Sequence, residues 1–370
     1  MTDRPRLTAL AESLPATVPF VGPEAQERAR GRSFRARIGA NESGFGPSPR
    51  VVEAMAVAAP QMWKYCDPDN HDLRAALAAH LGVGAGNIVI GEGIDGLLNL
   101  AVRLHVADGT PVVTSLGAYP TFNFHVAGFG GRLVAVPYAN DREDLEALLE
   151  TVKREAAPMV YLSNPDNPMG TWWRAGDVEA FAAALPPTTM LVLDEAYGET
   201  APEGTLPPID VARPNVLRLR TFSKAYGLAG LRCGYAVGDA DLIRAFEKIR
   251  AHYGVNRMAQ VAGLAALADQ AYLTEAVGRI AAARARIADI ARANGLTPLP
   301  SATNFVAIDC GGDGAFALKV MQALLARDVF VRKPMAPGLD RCIRVSAGPE
   351  ADLDIFEAEL PGALADARGN

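Results

Sequence analysis

One lysine lies in a setting that could make it a nucleophile. Lys224 follows an apolar, β-branched run, in the segment Thr-Phe-Ser-Lys-Ala-Tyr-Gly-Leu-Ala-Gly-Leu-Arg at 221–232. A lysine amine forms a Schiff base with an aldehyde when desolvation lowers its pKa. The hydroxyls of Thr221 and Ser223 and the guanidinium of Arg232 could bind a phosphate beside it, because arginine offers a charged, bidentate fork. An isolated Ser-Lys pair is usually a surface feature, but the whole segment favours a pocket for a phosphorylated aldehyde.

A carboxylate ends another apolar run thirty positions earlier, in Leu-Val-Leu-Asp-Glu-Ala-Tyr at 191–197. A buried carboxylate beside a pyridine nitrogen keeps that nitrogen protonated, which pyridoxal phosphate (PLP) requires to withdraw electrons. We therefore expect Asp194 at the nitrogen and Tyr197 at the ring hydroxyl of PLP. The alternative is that Asp194 only caps the next segment, since Asp is a common cap.

Two further turns could complete such a pocket. The turn Ser-Asn-Pro-Asp-Asn-Pro-Met-Gly at 163–170 is made rigid by its prolines, and it could aim the Asn167 amide at the cofactor. The second turn opens a helix after a strand, where exposed amides bind anions. We assign Gly93, Ile94 and Asp95 of this turn to the phosphate.

The elements that must position these side chains follow a βα rhythm from about residue 50 to 260. Short β-branched runs alternate with Ala/Leu-rich stretches, which is typical of a doubly wound, mostly parallel sheet. The predicted strands are 87–90, 111–115, 132–136, 159–162, 190–194, 216–221 and 234–237. The predicted helices are 73–81, 94–106, 141–156 and 177–185, where apolar residues recur at three and four positions.

The chain changes character from about residue 262. One long Ala/Arg-rich helical stretch runs to about residue 294, and the predicted strands 304–309, 329–332 and 342–346 follow, with a helix after the first. We predict a large domain at 45–261 and a smaller α+β domain made of 1–44 and 262–370. A length of 370 residues fits this division.

Composition argues against several classes of protein. A net charge of -6 gives no basic surface for nucleic acid. The four cysteines and five histidines show no ligand spacing, so we expect neither a disulfide framework nor a metal site, and a reducing cytoplasm fits best. The first residues lack the apolar core of a signal peptide, and no apolar run approaches the ~20 residues that span a bilayer. We therefore expect neither export nor membrane insertion.

Taken in order, these motifs resemble a known enzyme family. The series G-x-D, N-P-x-N-P-x-G, D-E-A-Y and S-K-x-x-G-L-x-G-L-R is similar to that of class I/II aminotransferases of PLP fold type I. Within them, the segments 41–49 and 65–68, with Leu73 and Arg74, resemble the N-E-N-P-Y-G-P-S and Y-P-D-P…L-R motifs of histidinol-phosphate aminotransferases. The resemblance covers nearly the whole chain and implies the fold-type I α/β architecture with PLP as cofactor.

The resemblance also implies roles for two tyrosines. Tyr65 would reach across a homodimer interface to the partner's cofactor phosphate. Tyr119 would stack on the pyridine ring, although Pro-Thr-Phe at 120–122 is a competing alignment. Either tyrosine could instead be an ordinary half-buried aromatic.

Three polar residues are implied in substrate binding. Arg344 lies in a segment similar to the family's L-R-I-T-x-G, whose arginine binds the substrate carboxylate as a bidentate pair. Asn41 belongs to the N-E-N-P-like segment, and Arg332 stands where the subfamily has V-R-P, but Lys333 and Met335 depart from that pattern.

The implied reaction is a ping-pong amino transfer from histidinol phosphate, the favoured donor, to a 2-keto acid such as 2-oxoglutarate. Lys224 would carry the cofactor and move the proton at the substrate Cα. Two alternatives stay open: an aromatic or other amino-acid aminotransferase, and a related PLP decarboxylase such as one acting on threonine phosphate. A PLP-binding DNA regulator is disfavoured, because forty N-terminal residues are too few for a DNA-binding module.

Overall fold

The computed structural model describes residues 5–16 and 20–369. Its strands are β1 Ala36–Arg37, β2 Ile88–Gly91, β3 Pro111–Ser115, β4 Arg132–Val136, β5 Met159–Ser163, β6 Met190–Asp194, β7 Val216–Thr221, β8 Gly234–Val237, β9 Thr297–Pro298, β10 Phe305–Asp309, β11 Val329–Phe330 and β12 Cys342–Ser346. Its helices are α1 Ala9–Ser13, α2 Pro23–Arg30, α3 Pro49–Ala58, α4 His71–Leu81, α5 Gly93–His105, α6 Pro120–Gly128, α7 Leu145–Glu155, α8 Ala175–Ala184, α9 Ala240–Phe246, α10 Arg257–Ala268, α11 Gln270–Ala293, α12 Gly314–Ala326 and α13 Glu350–Arg368.

A seven-stranded sheet with the order β2-β8-β7-β6-β5-β3-β4 forms the centre of the molecule. Only β8 runs against its neighbours β2 and β7, and every other pair in this sheet is parallel. The carboxyl ends of β5, β6 and β7 therefore lie at one edge, where Ser163 pairs in register with Asp194. This edge is where ligands bind in open α/β sheets. The predicted fold class is confirmed.

The sheet is covered by helices on both faces, so its inner strands have no polar face. Every residue of β5 and β6 is buried. One apolar cluster joins the sheet to α5, α6 and α9, and another joins it to α7 and α8. Each large apolar side chain buried in these layers contributes roughly 1.5–3 kcal/mol, which makes the sheet a rigid support for the residues at its edge.

A smaller layer is built around the antiparallel sheet β12-β10-β9. Helices α11, α12 and α13 pack against it in one apolar cluster. The short strand β1 pairs in parallel with β11, which attaches the N-terminal part of the chain to this layer. The division into 45–261 against 1–44 and 262–370 stays a prediction.

The single helical stretch predicted from about 262 to 294 is wrong in one respect, because the structure has two helices that meet at Asp269. Asp269 ends α10, and its side chain accepts a hydrogen bond from the Tyr272 amide in the first turn of α11. An acidic side chain at this position caps the first turn of the new helix. Among the described residues, none of the helices combines the length and apolar composition needed to cross a membrane.

Candidate active site

A cavity of about 300 Å³ opens at the carboxyl edge of the central sheet. It is lined by ten of the residues predicted from the sequence: Ile94, Asp95, Tyr119, Asn167, Asp194, Tyr197, Thr221, Ser223, Lys224 and Arg232. A second cavity of about 510 Å³ adjoins it and is lined by the three predicted substrate residues, Asn41, Arg332 and Arg344. Lys224 lies on the wall that both cavities share.

Lys224 follows β7 and projects its amine between the two cavities. Its Nζ donates to the backbone oxygen of Asn41 at 3.1 Å and lies 5.5 Å from the ring centroid of Tyr197. Burial, together with the positive charges of Arg344 and Arg232, lowers the pKa of Lys224 to about 8. Near neutral pH a larger fraction of this amine than of an exposed lysine is therefore unprotonated and able to act as a nucleophile.

Asp194 ends β6 on the floor of the first cavity, where it is 4% exposed. One carboxylate oxygen accepts from the Tyr161 hydroxyl at 2.7 Å, and the other accepts from the Ala196 amide at 2.9 Å. Burial raises the pKa of Asp194 to about 6, while these hydrogen bonds act to lower it. A buried carboxylate of this kind gains most by pairing with a cation in the cavity.

Tyr161 was not predicted from the sequence. It lies on β5, is fully buried, and stacks on Phe122 with ring centroids 4.5 Å apart. The only signal in the sequence was its position two residues before Ser163, because side chains two apart on a strand share a face. In the structure, Ser163 pairs with Asp194 on β6.

The opposite end of the first cavity is built to hold an anion. The Thr221 hydroxyl donates to the Ser223 hydroxyl at 2.8 Å, and Arg232 lies 3.5 Å from both the Ser223 hydroxyl and an Asp95 carboxylate oxygen. Gly93 begins α5 at φ +74°, and a Cβ there would lie 2.6 Å from Nη2 of Arg232. Glycine thus leaves room for the guanidinium at a helix N-terminus, where backbone amides attract negative charge.

Tyr119 and Phe122 were competing choices for the ring that stacks on the cofactor. Tyr119 lines both cavities, and its hydroxyl donates to Asp95 at 2.7 Å. Phe122 is fully buried in the core beneath α6. The structure therefore places Tyr119, and not Phe122, at the site.

The second cavity brings together residues from both layers of the molecule. Arg344 on β12 donates to the side-chain oxygen of Asn167 at 2.5 Å, and its Nε is buried without a hydrogen-bond partner among the described residues. Arg332 donates to the backbone oxygen of Val21 at 2.8 Å. Asn41 donates to the Tyr197 hydroxyl at 2.9 Å. The hydrogen bonds found for Arg332 and Arg344 in the described residues go to uncharged oxygens, so this cavity attracts anions.

Tyr65 lies away from both cavities. Its side chain is 79% exposed and packs on Tyr253, with ring centroids 5.0 Å apart. Within a single chain it therefore cannot contact the anion end of the site.

The donor set fits PLP. A buried amine, a buried carboxylate and an anion-binding end line one cavity, and the tight approach of Gly93 to Arg232 is preserved only by glycine. These match the cofactor's aldehyde, pyridine nitrogen and phosphate. Asn167 and Tyr197 line the same cavity and can contact the ring hydroxyl.

Residues 37–359 match the protein family described as aminotransferase class I and II. The chain belongs to this family. Among class I and II aminotransferases, it is 36% identical to histidinol-phosphate aminotransferase 2 of Ralstonia nicotianae over 90% of this chain and 89% of that protein. It is 38% identical to the histidinol-phosphate aminotransferase of Roseiflexus castenholzii over 87% and 88%. The resemblance stated from the motifs is confirmed.

Solved aminotransferase structures agree with this assignment. The crystal structure of histidinol-phosphate aminotransferase from Sinorhizobium meliloti in complex with pyridoxal-5'-phosphate is 58% identical, with a TM-score of 0.96 over 99% of both chains. Aspartate aminotransferase from Thermus thermophilus, in complex with maleate, has a TM-score of 0.82 at 23% identity, over 98% of this chain and 100% of that one. This more distant aminotransferase shares the fold.

Proposed function

We propose that the protein is a PLP-dependent aminotransferase that moves an amino group between histidinol phosphate and a 2-keto acid such as 2-oxoglutarate. The observation that carries the proposal is the 58% identity, over the whole chain, with a histidinol-phosphate aminotransferase crystallised with pyridoxal-5'-phosphate. The cavity supports it, because each functional group of that cofactor finds a partner of suitable charge there.

PLP, when bound, supplies an electron sink that stabilises negative charge developing at the substrate Cα. Asp194 would pair with the pyridine nitrogen from the cavity floor. Thr221, Ser223, Arg232 and the amides of residues 93–95 would hold the phosphate. Tyr119 would cover one face of the ring.

Lys224 serves two purposes in this proposal. Its neutral amine attaches the cofactor, and once it is released by the incoming substrate amine it moves a proton at Cα. Burial and the nearby arginines favour the neutral amine that both steps require.

Arg344 and Arg332 would bind the acidic group carried next to the substrate Cα. In 2-oxoglutarate this group is a carboxylate, and in histidinol phosphate it is a phosphate on the adjoining carbon. A guanidinium can hold either as a pair of charge-assisted hydrogen bonds. Lys333 lines the same cavity, so three cations favour a phosphorylated donor over a neutral aromatic one.

We also propose that the active unit is a homodimer. Large apolar side chains gather on the surface formed by α3, the 62–65 loop and the segment before α10, and they include Val57, Trp63, Tyr65 and Tyr253 at 75%, 79%, 79% and 56% exposure. Exposed patches of this kind mark interaction surfaces. Tyr65 would then cross to the phosphate end of the partner's site, which it cannot reach in its own chain.

The cytoplasmic location predicted from the sequence is part of the proposal. Its support is that all four cysteine thiols, Cys66, Cys233, Cys310 and Cys342, are free. A reducing compartment keeps thiols in this state.

The test is a half-reaction followed by cofactor absorbance. The purified holoenzyme is titrated with histidinol phosphate and, separately, with phenylalanine and tyrosine, and Lys224→Ala serves as the inactive control. Rapid conversion by histidinol phosphate alone supports the proposal. Conversion only by aromatic amino acids would move the enzyme to a different amino donor. Release of carbon dioxide from threonine phosphate, with no keto acid required, would indicate a decarboxylase.

A further inference from the structure

A buried acid that the proposed reaction does not use lies beneath the substrate cavity. Asp166 is 3% exposed and belongs to the turn between β5 and α8. One carboxylate oxygen accepts from the Tyr138 hydroxyl at 2.8 Å, and the other accepts from the Met169 amide at 2.8 Å. The Asp166 amide itself donates to the backbone oxygen of Thr171 at 2.8 Å. The backbone amide and the carboxylate of Asp166 therefore each form a hydrogen bond that closes the turn.

The turn that Asp166 closes presents Asn167 to the cavity. The side-chain oxygen of Asn167 accepts the 2.5 Å hydrogen bond from Arg344. Asn167 directly follows Asp166 in the chain, so Asp166 lies one residue from the contact made by the proposed substrate-binding arginine. The turn is also fixed from the other layer of the molecule, because the Ala302 amide donates to the backbone oxygen of Gly170 at 2.8 Å. Asn167 has little freedom to follow Arg344 if that arginine shifts.

The positive charge of Arg344 favours the ionised form of Asp166, against the effect of burial. Burial raises the pKa of Asp166 to about 7, while the hydrogen bonds from Met169 and Tyr138 and the positive charge of Arg344 oppose this rise. The neighbouring acid Glu143 is buried between the Ser115 hydroxyl and the Ser163 amide, and burial and the negative charge of Asp166 raise its pKa well above the ordinary range. Two buried acids in one region cannot both ionise easily. We assign the negative charge to Asp166, because Arg344 opposes the rise in its pKa.

We propose that Asp166 is a positioning residue for substrate binding, which holds Asn167, and through it Arg344, in the geometry that accepts the acidic group of the substrate. The inference deepens the proposed function and rests on it. Asp166 contacts neither substrate nor cofactor. Its substitution should therefore change the KM of both substrates and leave the proton transfer at Lys224 unchanged.

The experiment compares Asp166→Asn with Glu143→Gln in the holoenzyme. Both substitutions replace a buried carboxylate by an amide of the same shape, but only the first changes the residue that closes the Asn167 turn. For Asp166→Asn we expect KM for histidinol phosphate and for 2-oxoglutarate to rise about tenfold each, with kcat within about twofold of the parent. For Glu143→Gln we expect both constants close to those of the parent.

The outcomes separate the two proposals. If the parent enzyme does not react with histidinol phosphate, the proposed function fails, and the KM for 2-oxoglutarate with any accepted donor still tests Asp166. A loss confined to kcat, or equal effects of the two substitutions, would overturn the positioning role. If Asp166→Asn fails to retain cofactor, Tyr138→Phe removes one of its hydrogen bonds and keeps its charge. A rise of about threefold in both KM values supports the role, and unchanged values contradict it.

Discussion

The reactivity of Lys224 depends on how far its surroundings lower the pKa of its amine. The amine is buried, and its pKa falls to about 8, whereas the pKa of an exposed lysine is about 10.4. Because the pKa is lowered, the neutral fraction grows as pH rises toward 8 and changes little above it. We expect the rate at which apoenzyme captures PLP to rise about tenfold per pH unit below 8 and to level off above it. Stopped-flow absorbance from pH 6 to 10 measures this profile.

Arg344→Met provides the control for this profile. It removes one of the two positive charges that lower the pKa of Lys224, so the midpoint should move to higher pH. A parent midpoint near 10, or a midpoint that moves downward in Arg344→Met, would show that burial and these arginines do not set the protonation of the amine.

At the scale of residues, the sequence predicts side chains that contact the cofactor better than those that support them. Lys224, Asp194 and Arg232 stand in motifs whose residue types match the chemistry, and all three line the cavity. Tyr161 and Asp166 were missed. Their roles depend on a neighbouring strand and on the closure of a turn, and residue type and spacing alone do not show these contacts.

At the scale of elements, the turn from β2 into α5 sets the space available for the phosphate. Gly93 has φ +74°, which costs a residue with a side chain roughly 1–2 kcal/mol. A Cβ there would also lie 2.6 Å from Nη2 of Arg232. We expect Gly93→Ala to weaken PLP binding by about tenfold or more, measured by titration of apoenzyme.

Gly86→Ala is the matched control for Gly93→Ala. It is the same chemical change just before β2, but a Cβ at residue 86 would have no atom within 4 Å and its φ is not in the positive range. It should bind PLP as tightly as the parent does. Equal affinity of the two variants would show that the turn tolerates a side chain and that glycine is not required at residue 93.

The strands of the central sheet could be predicted to within one residue, and so could β10 and β12, but the two-residue strands β1 and β9 were not predicted. Buried parallel strands are continuous apolar runs bounded by turns, and 111–115, 132–136, 190–194, 216–221 and 234–237 match β3, β4, β6, β7 and β8. The two-residue strands β1 and β11 pair with each other across the chain. A strand as short as β1 is determined by tertiary contacts and is too short to show a periodic pattern.

At the scale of the whole molecule, the two layers meet along a seam beside the substrate cavity. Arg341 of the small layer contacts both oxygens of Asp141, at 2.9 and 2.8 Å, and donates to Asp309 at 2.7 Å. Met169 is buried in an apolar cluster with side chains that include Leu339 of the small layer. Asn167 and Arg344 come from opposite sides of this seam, so the substrate site depends on how the layers pack and could not be placed from either layer alone.

The largest assembly we propose is the homodimer, and its test is complementation between two inactive subunits. Lys224→Ala removes the amine from one subunit, and Tyr65→Ala removes the side chain proposed to cross the interface. In a mixed dimer, the site with an intact Lys224 would receive Tyr65 from the other subunit and would be complete. Random exchange of equal amounts should therefore restore about a quarter of the parental activity, since half the dimers are mixed and each has one complete site.

Separate assays of the two variants give the baseline, and sedimentation shows whether each is still a dimer. If Tyr65 acts within its own chain, the mixed dimer has no complete site and activity stays at the average of the two variants. If the parent sediments as a monomer, the proposed interface itself is wrong. Recovery of activity only after subunit exchange requires both a dimer and a Tyr65 that serves its partner, because the 79% exposed side chain contacts neither cavity of its own chain.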